Sequence, residues 1–236
     1  MKSYFYKPVS FLCAICFLFA LIVPVFATNA IEDNIDSIHI PLVTSFGPEI
    51  YPTAFGQDEI ALMDQFSTMT TSELNTYISS IANGTQNARI INTTVDPVSA
   101  AWMAAATIMN KEMLPCLSTS LVYALVGEDY SETDGVFATK IRATAAFQNW
   151  NPSTENSIAF PLSEVDLYFS LHAVNLAEAY SSAATGRVVH VWDTYDFFNE
   201  ADFGNIIVNL INEAGWLLQQ KGILNEYEID IIITHA

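Results

Sequence analysis

The chain has 236 residues and sets 26 acidic side chains against eight basic ones, a net charge of −18. Nucleic acids and anionic membrane surfaces are held through Lys and Arg, so this balance argues against both as partners. It favours solubility, a divalent cation or a basic partner, and solubility alone is the plainest reading of it.

The first 27 residues read as a secretory leader. Lys2 and Lys7 give a positive start, residues 11–26 are apolar, and Val25-Phe26-Ala27 ends the run with a small residue at the cleavage position. No basic cluster follows, which argues against a stop-transfer helix, so no stable membrane span is expected after cleavage. Removal of 1–27 takes Lys2, Lys7, Cys13 and Cys16 with it. Six basic residues then face 26 acidic ones, a net charge of about −20. One thiol is left, Cys116, in the apolar run 113–117, so no disulfide partner is expected and the cysteine reads as a small buried hydrophobe.

Residues 28–56 read as an extended lead-in lying over the surface, punctuated by Pro41, Gly47, Pro48, Pro52 and Gly56, with one short strand around 35–43. Residues 57–236 read as a single α+β domain. Ile60, Leu62, Met63 and Phe66 give a first apolar helix face. Thr70 with Glu73 forms a capping box for a second helix, stapled by Met69 and Leu74 and stopped at Gly84. Two sequons, at Asn83 and Asn92, follow in a polar link. Asp96-Pro97 starts a third helix to about Met113, and Pro115 opens a fourth that ends at Gly127. This αα-hairpin is apolar nearly all round and therefore buried.

The acidic run Glu128, Asp129, Glu132 and Asp134 lacks the spacing of a calcium loop and reads as a solvated loop. A helix is expected over about 136–149, ending before Asn151-Pro152. Residues 165–171 fit either a strand or one turn of buried helix. Val174 to about Tyr180 and Arg187 to Tyr195 read as a hairpin around 183–186. Phe203 through Leu218 carries helical spacing for five turns, closed by Lys221 and Gly222, and Tyr227 to Ile233 alternates as a half-buried strand. The order is a helical N-terminal half followed by strand–strand–helix–strand, with the helices expected on one face of a small sheet.

Beyond residue 27 the chain has no Gly-x-Ser-x-Gly elbow, His-Glu-x-x-His, phosphate-binding glycine loop or paired cysteines. Of its four histidines, His39 lies in the lead-in and His235 is penultimate, which leaves His172 and His190 as catalytic candidates beside Asp193, Tyr195 and Asp196. Strand alternation would put Asp193 and Tyr195 on one face and His190, Trp192 and Asp196 on the other. Asp196, Glu200 and Asp202 are the candidate ligands for a divalent cation, Ca²⁺, Mg²⁺ or Mn²⁺, at a strand–turn–helix junction. The structural reading of the same residues is that they cap the turn and the helix. If 165–171 is helical, Tyr168 and His172 share a face.

Asp193-Thr194-Tyr195-Asp196-Phe197 resembles the short Asp-x-Tyr-Asp-Phe motif of colicin M-type bacteriocins. That resemblance implies metal-dependent cleavage of a lipid-linked peptidoglycan precursor. It covers five residues, and the His-Arg pair that follows the family's motif has no counterpart in 198–204. Three functions remain. The leading one is an exported, non-enzymatic protein that binds a protein or envelope component at a bacterial cell envelope or outside the cell. The second is a metal-assisted phosphoryl or ester hydrolase built on Asp193, Asp196 and either His190 or His172. The third is an acidic inhibitor or immunity-type protein for a basic partner.

Overall fold

The computed structural model describes residues 51–82, 94–182, 186–197 and 215–234. The expected leader, the strand expected around 35–43, the stop expected at Gly84, the Asn83 and Asn92 sequon positions, the turn expected at 183–185 and the first part of the helix expected over 203–218 lie outside these residues. So do His39, Glu200, Asp202 and His235.

Helix α1 runs Gln57–Thr68 and buries Leu62, Met63 and Phe66. Helix α2, Thr71–Ala82, starts with the expected capping box: the Thr70 amide donates to the Glu73 carboxylate at 2.8 Å, and the Glu73 amide donates back to the Thr70 hydroxyl at 3.3 Å. Helix α3, Pro97–Lys111, begins with the Asp96 carboxylate accepting from the amide of Val98 at 2.9 Å. Its residues Ala100 to Met109 are all buried, because α1, α2 and α4 surround it. Helix α4, Pro115–Val126, packs beside it through the Trp102 indole, which donates to the Leu121 carbonyl at 2.8 Å.

Gly127 closes α4 in the left-handed region at φ +67°. A side chain there would lie 2.6 Å from the Asn225 Cβ. Asn225 is the residue that seals this helix end, its amide donating to the Ala124 carbonyl at 2.7 Å and its side chain to Leu125. Gly127→Ala therefore combines a disfavoured φ with displacement of a cap. We expect a loss of about 2–3 kcal/mol, read as a lowered denaturation midpoint with an unchanged m-value.

The sheet has five strands in the order β1–β5–β4–β3–β2. They are β1 (Tyr130–Thr133), β2 (Ser157–Ala159), β3 (Ala173–Ser182), β4 (Gly186–Tyr195) and β5 (Tyr227–Ile233). β1 pairs with β5 in parallel, and the other neighbours are antiparallel. The β3–β4 hairpin and β5 fall where the alternation put them. β5 buries Tyr227, Ile229, Ile231 and Ile233 and exposes Glu228 and Asp230. Residues 215–220 are helical, with Leu218 buried and Gly222 left-handed at φ +67°.

Three expectations need correction, and one left open is decided. The acidic run is not a solvated loop, because Tyr130–Thr133 is an edge strand held by β5. Its Glu132 is turned inward, where the carboxylate accepts from the Tyr130 hydroxyl and from the Ala138 amide, each at 2.6 Å. The expected helix 136–149 is two, α5 (Val136–Ala143) and α6 (Ala145–Gln148). Thr144 separates them, since its hydroxyl accepts from the Phe147 amide at 3.2 Å and caps the second piece. Of the two readings left open for 165–171 the helix holds: Val165–Ser170 form the short helix α7, and His172 after it is left-handed at φ +53°. The end of the lead-in does not lie over the surface: Tyr51 and Phe55 are buried in the core, with the Tyr51 hydroxyl donating to Asp64 at 3.1 Å.

α4 and α5 cover one face of the sheet. Tyr123 of α4 packs on Tyr130 and Tyr227, Phe137 of α5 packs on Tyr130, and the Tyr227 hydroxyl donates to the Ser120 carbonyl at 3.3 Å. One continuous core links residues from Tyr51 to Ile233. The chain is an α+β protein, and none of the helices among the described residues is long and apolar enough to cross a membrane.

Candidate functional site

β4 separates the candidates by its alternation. Val189, Val191, Asp193 and Tyr195 face the helices, while His190, Trp192 and Thr194 face away. Tyr195 stacks beside Tyr227 at 5.3 Å between ring centroids and meets Phe197 edge-on, which in turn meets Trp102. Tyr195 is therefore a wall of the core, and burial pushes its hydroxyl's pKa up.

Asp193 sits next to these rings on the inward side. Burial pushes its carboxyl up to about 7, and the nearby Asp196 and Glu228 charges add to the rise. Asp196, just past the strand, is pushed up to about 6 by burial and by Glu226. The end of β4 and start of β5 thus gather four carboxyls, Asp193, Asp196, Glu226 and Glu228, and the surrounding like charges help hold the Asp193 and Asp196 carboxyls up. Of the proposed cation ligands only Asp196 lies in the described residues. Among those residues no group of three or more His, Cys, Asp or Glu is arranged to hold a metal ion.

Neither histidine is shown joining the Asp193–Asp196 pair. His190 is on the opposite face, and its Nε2 lies 2.8 Å from Oδ1 of Asp230 on β5. Its ring lies 4.8 Å from that of Trp192. His172 packs edge-on against Tyr168 at 4.9 Å, brought back onto it by its left-handed backbone just past the end of α7 rather than by a continued helix.

The outward face of the sheet holds residues that motif reading passed over. Thr194 donates to Glu228 at 3.0 Å, beside the His190–Asp230 pair. Register places Ser157, Asn175, Trp192, Asp230 and Ser131 in one row across all five strands. The signal for it was the alternation of Glu228 and Asp230 with isoleucines in β5, which marks an uncovered face. A second missed residue is Asp166, buried in α7, for which no local pattern exists.

Comparison with protein-family models, with curated proteins and with solved structures gives no match. The likeness to the colicin M-type motif thus stands on residues 193–197 alone.

Proposed function

We propose that this is an exported, acidic, non-enzymatic binding protein that engages a basic protein or envelope component. The leader pattern of residues 1–27 supports export, and the charge supports the sign of the partner. The observation that carries the reading is the two-sided sheet. One face is sealed by helices, while the other leaves Asn175, Ala177, Thr194, Glu228 and Asp230 exposed around a half-buried Trp192. An indole set among oriented polar groups on an open face is a typical anchor for recognition. Titrating residues 28–236 with lysine-rich, arginine-rich and glutamate-rich peptides tests it. Binding confined to the cationic peptides and weakened between about 0.05 and 0.5 M salt is expected. Absence of binding to either cationic peptide would remove the reading.

The raised carboxyls of Asp193 and Asp196 favour one second reading, a metal-assisted hydrolase of a phosphoryl or ester substrate. Asp196 would then be a ligand and Asp193 a proton carrier. Calorimetry with Ca²⁺, Mg²⁺ and Mn²⁺ should give a saturable heat that Asp196→Ala abolishes. Equal heats from both proteins would mark diffuse attraction to an acidic surface and end this reading.

A further inference from the structure

We propose that the open sheet face takes an extended, arginine-bearing segment of the partner, with Trp192 as the platform and Asp230 and Glu228 as the charge partners. This rests on the binding reading above and gives it a site and a ligand chemistry.

The placement follows from register. Trp192 lies directly between Asn175 on β3 and Asp230 on β5, and Thr194 lies opposite Glu228. On the β3–β2 side the same face carries Ala159, Ala173 and Ala177 with Ser157 and Asn175, all exposed. The indole therefore borders an exposed floor of small side chains that presents no bulky obstacle to an extended chain. On its other side the carboxylates are held in place. His190 fixes Asp230 through Oδ1, and Thr194 fixes Glu228. The Asp230 side chain is still 55 % exposed, so an incoming donor can reach it.

Among the described residues, this face carries no Lys or Arg. Arg187 lies on the helix side, over the Trp150 ring at 5.2 Å. A second copy is a poor occupant, because its matching face would bring the same acidic charge and, among the described residues, no Lys or Arg to answer Glu228 and Asp230. Phosphate-rich surfaces are repelled by the same charges. A guanidinium answers each feature. It lies flat on an indole, it donates to carboxylates through a rigid planar fork, and its apolar stem suits the small-residue floor. Lysine provides the charge without the flat stacking surface.

The test uses residues 28–236 and labelled hexa-arginine and hexa-lysine peptides, with binding followed by anisotropy at about 0.15 M salt. Hexa-arginine should bind more tightly than hexa-lysine. Trp192→Ala and Asp230→Asn should each weaken hexa-arginine about tenfold. Asp58→Asn, which removes the same charge from the exposed start of α1, should leave the affinity unchanged. Circular dichroism shows that each variant is folded. If the wild type binds hexa-arginine and Trp192→Ala binds it equally well, or Asp58→Asn weakens it as much as Asp230→Asn, the attraction is diffuse. The site is then wrong while the binding reading survives. If neither peptide binds and a neutral oligosaccharide does so through Trp192, both the site's ligand and the basic-partner reading are overturned.

Discussion

Asp166→Ala is expected to cost about 3 kcal/mol and to lower the melting temperature by about 9 °C. Asp166 is buried in α7, yet its carboxylate accepts from the amides of Cys116 and Leu117 at 3.2 and 2.9 Å. Those are the second and third residues of α4, which has no side-chain cap of its own. The carboxylate therefore caps a helix fifty residues away in sequence and meets its positive end. Lys140 of α5 lies 3.5 Å from the same carboxylate, so three helices share this one group. Removing it strands two amide donors, that of Cys116 fully buried, and takes the counter-charge from Lys140. Burial raises the Asp166 pKa, and the two amides and Lys140 oppose that rise. Asp166→Asn keeps an acceptor for one amide and should lose roughly half as much. Thermal and denaturant unfolding of the three proteins reads this directly. Wild-type stability in Asp166→Ala would show that α4 is held by packing alone.

Asp193→Asn is expected to stabilise the protein at pH 8 and to leave it unchanged near pH 4. The folded carboxyl titrates at about 7, far above the ordinary value of 3.8. Between those pH values the folded state holds the proton more tightly than the unfolded chain does. The stability that this provides is complete below about pH 4 and is lost as pH rises through 7. Each pH unit is worth about 1.4 kcal/mol, and solvent screening at a partly exposed group removes roughly half of the total. About 2 kcal/mol then separates wild type from Asp193→Asn at pH 8. Asp196, pushed up to about 6, adds a smaller contribution of the same sign. Glu73 works the other way, because bonds from the Thr70 amide and hydroxyl hold its pKa below the ordinary range. The difference between the two proteins across pH 4–8, not the wild-type curve alone, is therefore the measurement. A flat difference would show that Asp193 is solvated in the folded state.

Local signals carried much of the fold. Capping chemistry placed the starts of α2 and α3, since those caps are made by residues within a few positions of the amides they satisfy, and Pro115 in the first turn placed the start of α4. Period-two patterning placed β3, β4 and β5. β1 and β2 escaped because strands of four and three residues hold too few positions for a period, and the acids of β1 mimic a loop. The site was legible in half. Alternation put His190 and Asp193 on opposite faces of β4, which is why His190 does not serve the Asp193–Asp196 pair. It did not reveal that His190 answers to Asp230, forty residues on, because strand pairing is set by the whole sheet.

The sequence by itself determined the charge, the leader pattern, the buried αα-hairpin and the direction of each side chain along β4. All of these follow from composition or from short-range periodicity. Only the tertiary structure decided which face of the sheet the helices seal and which it leaves to solvent. It alone joined Asp166 to the start of α4, turned Glu132 inward and set Trp192 between Asn175 and Asp230. Each of these contacts joins segments remote along the chain, and their geometry exists only once the core has closed.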